Sequence, residues 1–176
     1  KYYFFIDEIQ FCRSIDNPAF DGFRTTDGTI PQITFYDVLN GFLKLENAEV
    51  FGGAMVYNNA HIYDNARVYG NAMVGDYAQV FCDAEVYGNA QVYGNAEVYE
   101  NAIIYGNAVI FGNANVYGNA EVFGNAQVYG NAQVYENAEV YGNAKVHGDA
   151  QVYDDAQVCG DAEVYDDAWA FGYAQV

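Results

Sequence analysis

Apolar positions recur every six residues from residue 48 to residue 176. An alanine occupies Ala48 and every sixth position through Ala174. Two residues after each alanine comes a valine or an isoleucine, with Ala170 as the one substitute. The next position is usually a tyrosine or a phenylalanine, and Gly-Asn or a related polar pair follows, so the unit reads V-Y-G-N-A-Q.

Each unit predicts a short β-strand followed by a corner. In the segment A-x-V-Y, inward small or aliphatic residues alternate with outward ones, which is the two-residue period of a strand. Gly adopts positive φ without steric cost, and Asn visits the left-handed region more readily than most residues, so the pair favours a bend. An amphipathic helix would need apolar spacings of three and four, which a strict spacing of six does not provide.

One such strand buries too little apolar surface to be stable alone, so the repeats must stack. Stacked coils bury Ala and Val in a common interior and pair successive strands at about 4.7–4.9 Å. The sequence therefore predicts an all-β fold, a single-stranded parallel β-solenoid.

The hexad resembles the hexapeptide repeat of left-handed β-helix proteins, in which a small residue follows an aliphatic one four positions later. Three hexads form one triangular coil in that family, so the resemblance implies a left-handed β-helix of about seven coils over residues 48–176. The aromatic residue after the aliphatic one is similar to a group of bacterial and phage proteins commonly described as transferases. Handedness is implied by this resemblance alone.

Residues 1–47 do not follow the repeat and are predicted to form an N-terminal cap on the β-helix of residues 48–176. The opening KYYFFIDEIQF indicates a strand, residues 16–31 indicate loop and turns, and residues 33–45 a strand or a short helix. A cover is expected because solenoid ends expose unpaired strand edges. At the other end, we expect either that Trp169, Phe171 and Tyr173 cover the last coil or that it stacks on another copy.

With eighteen residues per coil, residues eighteen apart form ladders on three faces. The first face carries an aromatic ladder beside an acidic row: Phe51, Tyr69, Tyr87, Tyr105, Phe123, Tyr141 and Cys159, with Glu49, Glu85, Glu121 and Glu139. The second face carries Met55, Met73, Val109 and Lys145, and we expect its ladder to be broken at Gly75 and His147. The third face has a ladder without a gap: Tyr63, Phe81, Tyr99, Tyr117, Tyr135, Tyr153 and Phe171.

The third face is the predicted interaction surface, because the residues beside its aromatic ladder are mostly neutral. A large apolar strip is typical of an association site, and self-association is its commonest form. The alternative is that the ladders only strengthen the strands, as stacked identical residues do.

The chain is strongly acidic, with a formal net charge of −18. This charge argues against binding nucleic acid, whose affinity depends on neutralising phosphates, and against binding anionic membranes. It favours a basic protein partner or mimicry of a polyanion. No apolar run is long enough for a membrane span, and the three cysteines show no metal or disulfide spacing, so we expect a cytoplasmic protein.

Few residues suggest catalysis or metal binding. By the eighteen-residue count, His61 and His147 lie on different faces and several coils apart, so we predict no catalytic residue and no cofactor. Asp149, Asp166 and Asp167 would meet on one corner of adjacent coils, where clustered carboxylates can hold Ca²⁺. Solvated acids are commoner, however, so no metal site is predicted.

Three hypotheses of function remain open. The first is a non-enzymatic structural or interaction protein that forms homo-oligomers through an exposed face or its C-terminal end. The second is an acidic, polyanion-mimicking inhibitor of a nucleic-acid-handling protein, for instance a phage protein, which the net charge of −18, the rod shape and the acidic first face favour. The third, implied by the resemblance alone, is an acyltransferase-like protein. This third hypothesis lacks the loops that interrupt the coils of such enzymes, because no insertion breaks the repeat.

Overall fold

The computed structural model describes the strand backbones of residues 2–6, 9–13 and 21–25 and the whole of residues 48–176. All regular elements in these residues are β-strands. Strands β1 (Tyr2–Ile6), β2 (Ile9–Arg13) and β3 (Asp21–Thr25) form an antiparallel sheet in the order β1-β2-β3.

This small sheet corrects two predictions about the N-terminal region. The opening segment forms two strands rather than one, because the polar Asp7-Glu8 pair separates two apolar runs. Strand β3 lies where loop and turns were predicted, because its pairing with β2 overrides the local turn propensity of Gly22. Residues 33–45 lie outside the described residues, and the capping role stays a prediction.

From residue 48 onward, each hexad forms a strand of two residues followed by a corner. These strands are β4 (Glu49–Val50), β5 (Met55–Val56), β6 (His61–Ile62), β7 (Arg67–Val68), β8 (Met73–Val74), β9 (Gln79–Val80), β10 (Glu85–Val86), β11 (Gln91–Val92), β12 (Glu97–Val98), β13 (Ile103–Ile104), β14 (Val109–Ile110), β15 (Asn115–Val116), β16 (Glu121–Val122), β17 (Gln127–Val128), β18 (Gln133–Val134), β19 (Glu139–Val140), β20 (Lys145–Val146), β21 (Gln151–Val152), β22 (Gln157–Val158), β23 (Glu163–Val164) and β24 (Trp169–Ala170).

The strands form three parallel sheets of seven, one on each face. The first face is the sheet from β4 to β22, the second from β5 to β23 and the third from β6 to β24, and each sheet takes every third strand. Paired residues are eighteen apart; Glu85, for example, pairs with Ile103. The predicted β-solenoid of about seven coils is therefore confirmed.

Alanine and valine fill the interior, as the repeat predicts. Every Ala and Val or Ile at the inward positions from Ala66 to Val158 is 0% exposed. Burying one such valine or isoleucine stabilises the fold by about 1.5–3 kcal/mol, so the stack as a whole is held together by this interior. The hexads therefore differ from one another mainly in the side chains that point outward.

The corners follow one backbone rule. The first corner residue has a positive φ in every hexad, whether it is a glycine such as Gly106 (73°) or another residue such as Glu100 (60°). The second corner residue, usually Asn, does not have a positive φ in residues 48–176. Its backbone N–H donates along the stack instead, as Asn107 N–H does to Gly124 O (2.7 Å).

Asp76, Glu136 and Asp154 are carboxylates at the first corner position that accept a hydrogen bond from a backbone N–H of the following coil. Glu136 Oε2 accepts from Asp154 N–H (3.0 Å), and Asp76 Oδ2 accepts from Gly94 N–H (3.2 Å). A left-handed conformation costs a non-glycine residue about 1–2 kcal/mol, and this hydrogen bond offsets part of that cost. These carboxylates therefore have a structural role as well as a charge.

Asparagine side chains at the second corner position form directional hydrogen-bond ladders along the stack. Each Nδ2 donates to the Oδ1 of the next coil, as in Asn89 to Asn107 (3.0 Å) and Asn107 to Asn125 (3.1 Å). Aspartate can accept in such a ladder but cannot donate. Asp83 accepts from Asn65 (2.9 Å) in this way, and its carboxylate has no proton to pass to the next coil.

Opposite substitutions in these ladders should change stability in opposite directions. We expect Asn107→Asp to lower the free energy of unfolding by about 0.5–1.5 kcal/mol, because the donor to Asn125 is lost. Asp83→Asn should raise it, because a donor facing Asn101 is gained. Denaturant midpoints measure the change in the free energy of unfolding of each variant. High salt screens the part of that change that is due to charge repulsion. Equal midpoints for both variants and the wild type at high salt would contradict the ladder account.

Candidate interaction surfaces

The aromatic ladder of the third face is a continuous ring stack. From Tyr63 to Phe171, successive ring centroids lie 4.8–5.4 Å apart with interplanar angles of 10° or less. The hydroxyls of Tyr117 and Tyr135 donate to the side-chain oxygens of Gln133 (3.4 Å) and Gln151 (3.2 Å) in the next coil. Each of these two tyrosines therefore links two successive coils.

This packing leaves less aromatic surface than an exposed strip would have. The rings from Tyr63 to Tyr153 are half-buried by one another, and only Phe171 (54%) is well exposed in this ladder. This geometry supports the alternative prediction that the ladders strengthen the strands. An interaction role for the third face stays a prediction.

The first face carries its charge unevenly. Arg67 lies between Glu49 (3.4 Å) and Glu85 (3.0 Å) and neutralises the N-terminal part of the acidic row. Glu121 pairs in register with Glu139, an unfavourable arrangement of like charges that the sequence count predicted. The uncompensated charge of this face is therefore concentrated around these two carboxylates.

Tyrosines of the first face are held in their neutral form. The pKa of Tyr69 is raised to about 12 by burial and by the hydrogen bond that its hydroxyl donates to Glu85 (2.9 Å). The pKa of Tyr105 is also raised to about 12, first by burial and then by the charge of Glu121. The ring ladder is thus coupled to the acidic row beside it.

The ring ladder of the second face continues through His147, which corrects the prediction of a break at that position. The His147 imidazole stacks on Tyr129 (4.7 Å, 6°) and on Tyr165 (5.8 Å, 16°), so it continues the ladder as a flat ring. The Tyr57 ring lies over Gly75, in the space that a side chain at that position would fill. Gly75 carries no ring, so the stack of rings on this face runs from Tyr93 to Tyr165. The break at His147 was wrongly predicted because only tyrosine and phenylalanine were counted as ladder residues.

Negative charge is concentrated on one side of the solenoid. The corner between the third and first faces carries six carboxylates: Asp64, Asp83, Glu100, Glu136, Asp154 and Asp155. The second face, by contrast, has one carboxylate in its outward row, Glu163, which forms an ion pair with Lys145 (2.8 Å). The same count of residues eighteen apart could have shown from the sequence that the outward row of the second face has few carboxylates.

The calcium candidates gain no support from the geometry. In the described part of the chain, no group of three or more His, Cys, Asp or Glu side chains is placed to hold a metal ion. Asp149 instead accepts from Asn131 Nδ2 (2.8 Å) as part of an asparagine ladder. Asp166 adopts a positive φ (53°) at a first corner position.

The two histidines lie on different faces, as the eighteen-residue count predicted. His61 is in strand β6 of the third face, whereas the ring of His147 belongs to the ladder of the second face. Strands recur every six residues from residue 49 to residue 170, so no inserted loop joins the two positions.

Large apolar side chains near the C-terminal end are exposed. Trp169 is 63% exposed, Phe171 54% and Tyr173 87%, and Ala168 at an inward position of the last coil is also exposed. The three aromatic side chains therefore leave the last coil uncovered at Ala168, contrary to the expected cover. Stacking of that coil on another copy stays a prediction. The described residues include no helix with the length and apolar character needed to cross a bilayer.

Four stretches of the chain, residues 60–76, 66–81, 90–106 and 126–142, match a family described as the YdcK beta solenoid repeat. The chain is similar to that repeat over about a third of its length. No curated protein and no solved structure matches it significantly. Together with the three stacked sheets, the match identifies a β-solenoid repeat protein. The hexapeptide-transferase type and the left-handed twist stay predictions.

The raised tyrosine pKa values predict a loss of stability at alkaline pH. An unfolded tyrosine titrates near pH 10, whereas Tyr69 and Tyr105 titrate at about 12 when folded. Their contribution is therefore complete below pH 10 and is lost as the pH rises from about 10 to about 12. Denaturant midpoints across this range, with tyrosinate absorbance recorded in parallel, measure the effect.

Tyr105→Phe provides the control, because phenylalanine already occupies this ladder at Phe51 and Phe123. The variant should keep the ring stack and lose less stability than the wild type between pH 10 and 12. A wild type whose midpoint does not change over that range would contradict the assignment.

Proposed function

We propose that this chain is a non-catalytic, rod-shaped interaction protein that associates with other proteins, including a second copy of itself, through its flat sides. The supporting observation is the division between interior and surface. The interior is filled by Ala and Val throughout, and residues 49–170 form strands and corners without an inserted loop. Chemical differences between coils are confined to outward side chains.

Such a rod offers flat, rigid surfaces rather than a pocket. Flat sheet faces with side chains already ordered by stacking lose little conformational entropy on binding, which favours their use as interfaces. An acyltransferase-like activity has less support, because His61 and His147 lie on separate faces and no loop joins them.

Self-association is tested by light scattering on the full chain from about 1 μM to about 1 mM, the range in which weak complexes dissociate. We expect the mean mass to rise from that of one 19.5 kDa chain towards twice that value. A mass of one chain throughout the range would overturn the self-association proposal.

A second candidate function is mimicry of a polyanion, and the charge density of the rod favours it. Residues 48–176 contain seventeen carboxylates against Arg67 and Lys145, a net charge of −15. Seven coils at about 4.8 Å span about 34 Å, so the rod carries one net negative charge per about 2 Å. Duplex DNA carries one per about 1.7 Å.

Competition with DNA tests this candidate. We expect the protein to displace a fluorescent duplex from a basic, sequence-independent DNA-binding protein at low salt, with an effect that falls steeply as salt rises. Glu100→Gln combined with Glu136→Gln should weaken the displacement, because both residues lie on the acidic corner. No displacement at low salt, even with the protein in large excess, would rule the candidate out.

A further inference from the structure

Two copies of this chain can associate only where their charges do not oppose each other. Each copy carries a net charge of −18, and like charges brought together in an interface cost several kcal/mol. The first face and the corner before it carry ten carboxylates against the single cation Arg67. That side of the rod is therefore unsuited to self-association.

One side of the rod is free of carboxylates over its first six coils. We call it the neutral side, and it consists of the second face and the corner that joins the first face to it. Its outward row and ladder are Met55, Met73, Gln91, Val109, Gln127 and Lys145, with Tyr57, Gly75, Tyr93, Phe111, Tyr129 and His147. Its corner carries glycines and the asparagine ladder from Asn71 to Asn143.

The neutral side is also the side with the most apolar outward row. Met55 is 49% exposed, and Met73 and Val109 are half-exposed beside a flat stack of rings. Buried interface positions are poor in charged residues and rich in methionine and aromatic residues, which is the composition found here. The third face, in comparison, carries Glu97 in its outward row and lies beside the acidic corner.

We propose that the neutral side is the self-association surface and that two copies pack through it, antiparallel, about a two-fold axis at Val109. Strand β14, which contains Val109, is the fourth of the seven strands in its sheet, so this axis brings the two second faces into full overlap. Gln91 of one copy then lies opposite Gln127 of the other. The antiparallel arrangement also separates the acidic C-terminal coils of the two copies.

The area of the neutral side determines how strongly the two copies are expected to bind each other. Full overlap of seven strands at about 4.8 Å, on a side six residues wide at about 3.3 Å per residue, gives an area of about 670 Å² per copy. The total buried area is then at the low end for specific complexes, so the dimer should be weak and dependent on concentration. This inference rests on the self-association proposed above, and the experiment separates the two.

The test compares Val109→Glu with Asn115→Glu by light scattering on the full chain. Both residues are half-exposed and begin strands in the same coil, but Asn115 belongs to the third face. Val109→Glu places two carboxylates face to face at the axis and should weaken the dimer more than about tenfold. Asn115→Glu should leave it unchanged, and equal denaturant midpoints would show that both variants fold.

The double variant Gln91→Lys, Gln127→Glu tests the orientation. In an antiparallel pair, each new lysine faces a new glutamate, so the dimer should form at least as well as in the wild type. In a parallel pair, like charges would meet and the dimer would dissociate, which would overturn the antiparallel arrangement.

The outcomes distinguish the assignment of the association surface from the proposal that the chain self-associates. A wild type that associates while Val109→Glu has no effect would overturn the surface assignment and leave self-association standing. Loss of the dimer in Asn115→Glu alone would transfer the surface to the third face. A wild type that stays monomeric up to about 1 mM would overturn both proposals.

Discussion

The shared interior of alanine and valine is the constraint on which the rest of the structure depends. No single hexad has enough apolar surface to fold alone, so each depends on its neighbours for burial. The alanine of each hexad and the valine or isoleucine two positions later fill the narrow lumen, and these residues are 0% exposed from Ala66 to Val158, about five coils. A six-residue period meets this requirement, and three such units close one coil.

Once the interior is set, the outward side chains are ordered by repetition. Residues eighteen apart lie in register, so like stacks on like: rings at about 5 Å and asparagine amides at about 3 Å. These ladders stabilise the stack and at the same time determine which charges accumulate on which side. The chemistry of each surface is therefore set by a whole ladder of residues eighteen apart. The environment of a single residue such as His61 or His147 is determined by the ladder or row in which it lies.

Much of this could be predicted from the sequence, because the period is strict and Ala and Val have one role. The second face was misjudged at His147 because a ladder position was equated with tyrosine or phenylalanine, whereas the His147 imidazole also stacks as a flat ring. The mutual burial of the third-face rings depends on ring tilt, which periodicity does not encode. Strand β3 was missed because its pairing with β2 is a tertiary interaction that outweighs the turn propensity of Gly22.

The central claim is that the six-residue register of the interior holds the solenoid together. Unfolding of two deletion variants tests it most directly. Deleting residues 103–108 leaves Ala102 followed by Val109 and Ile110, so every later Ala and Val keeps its inward position. Deleting residues 103–107 shifts every later residue by one position. We expect the first variant to unfold cooperatively near the wild-type midpoint and the second to lose its C-terminal coils. Equal stability of the two variants would contradict the claim.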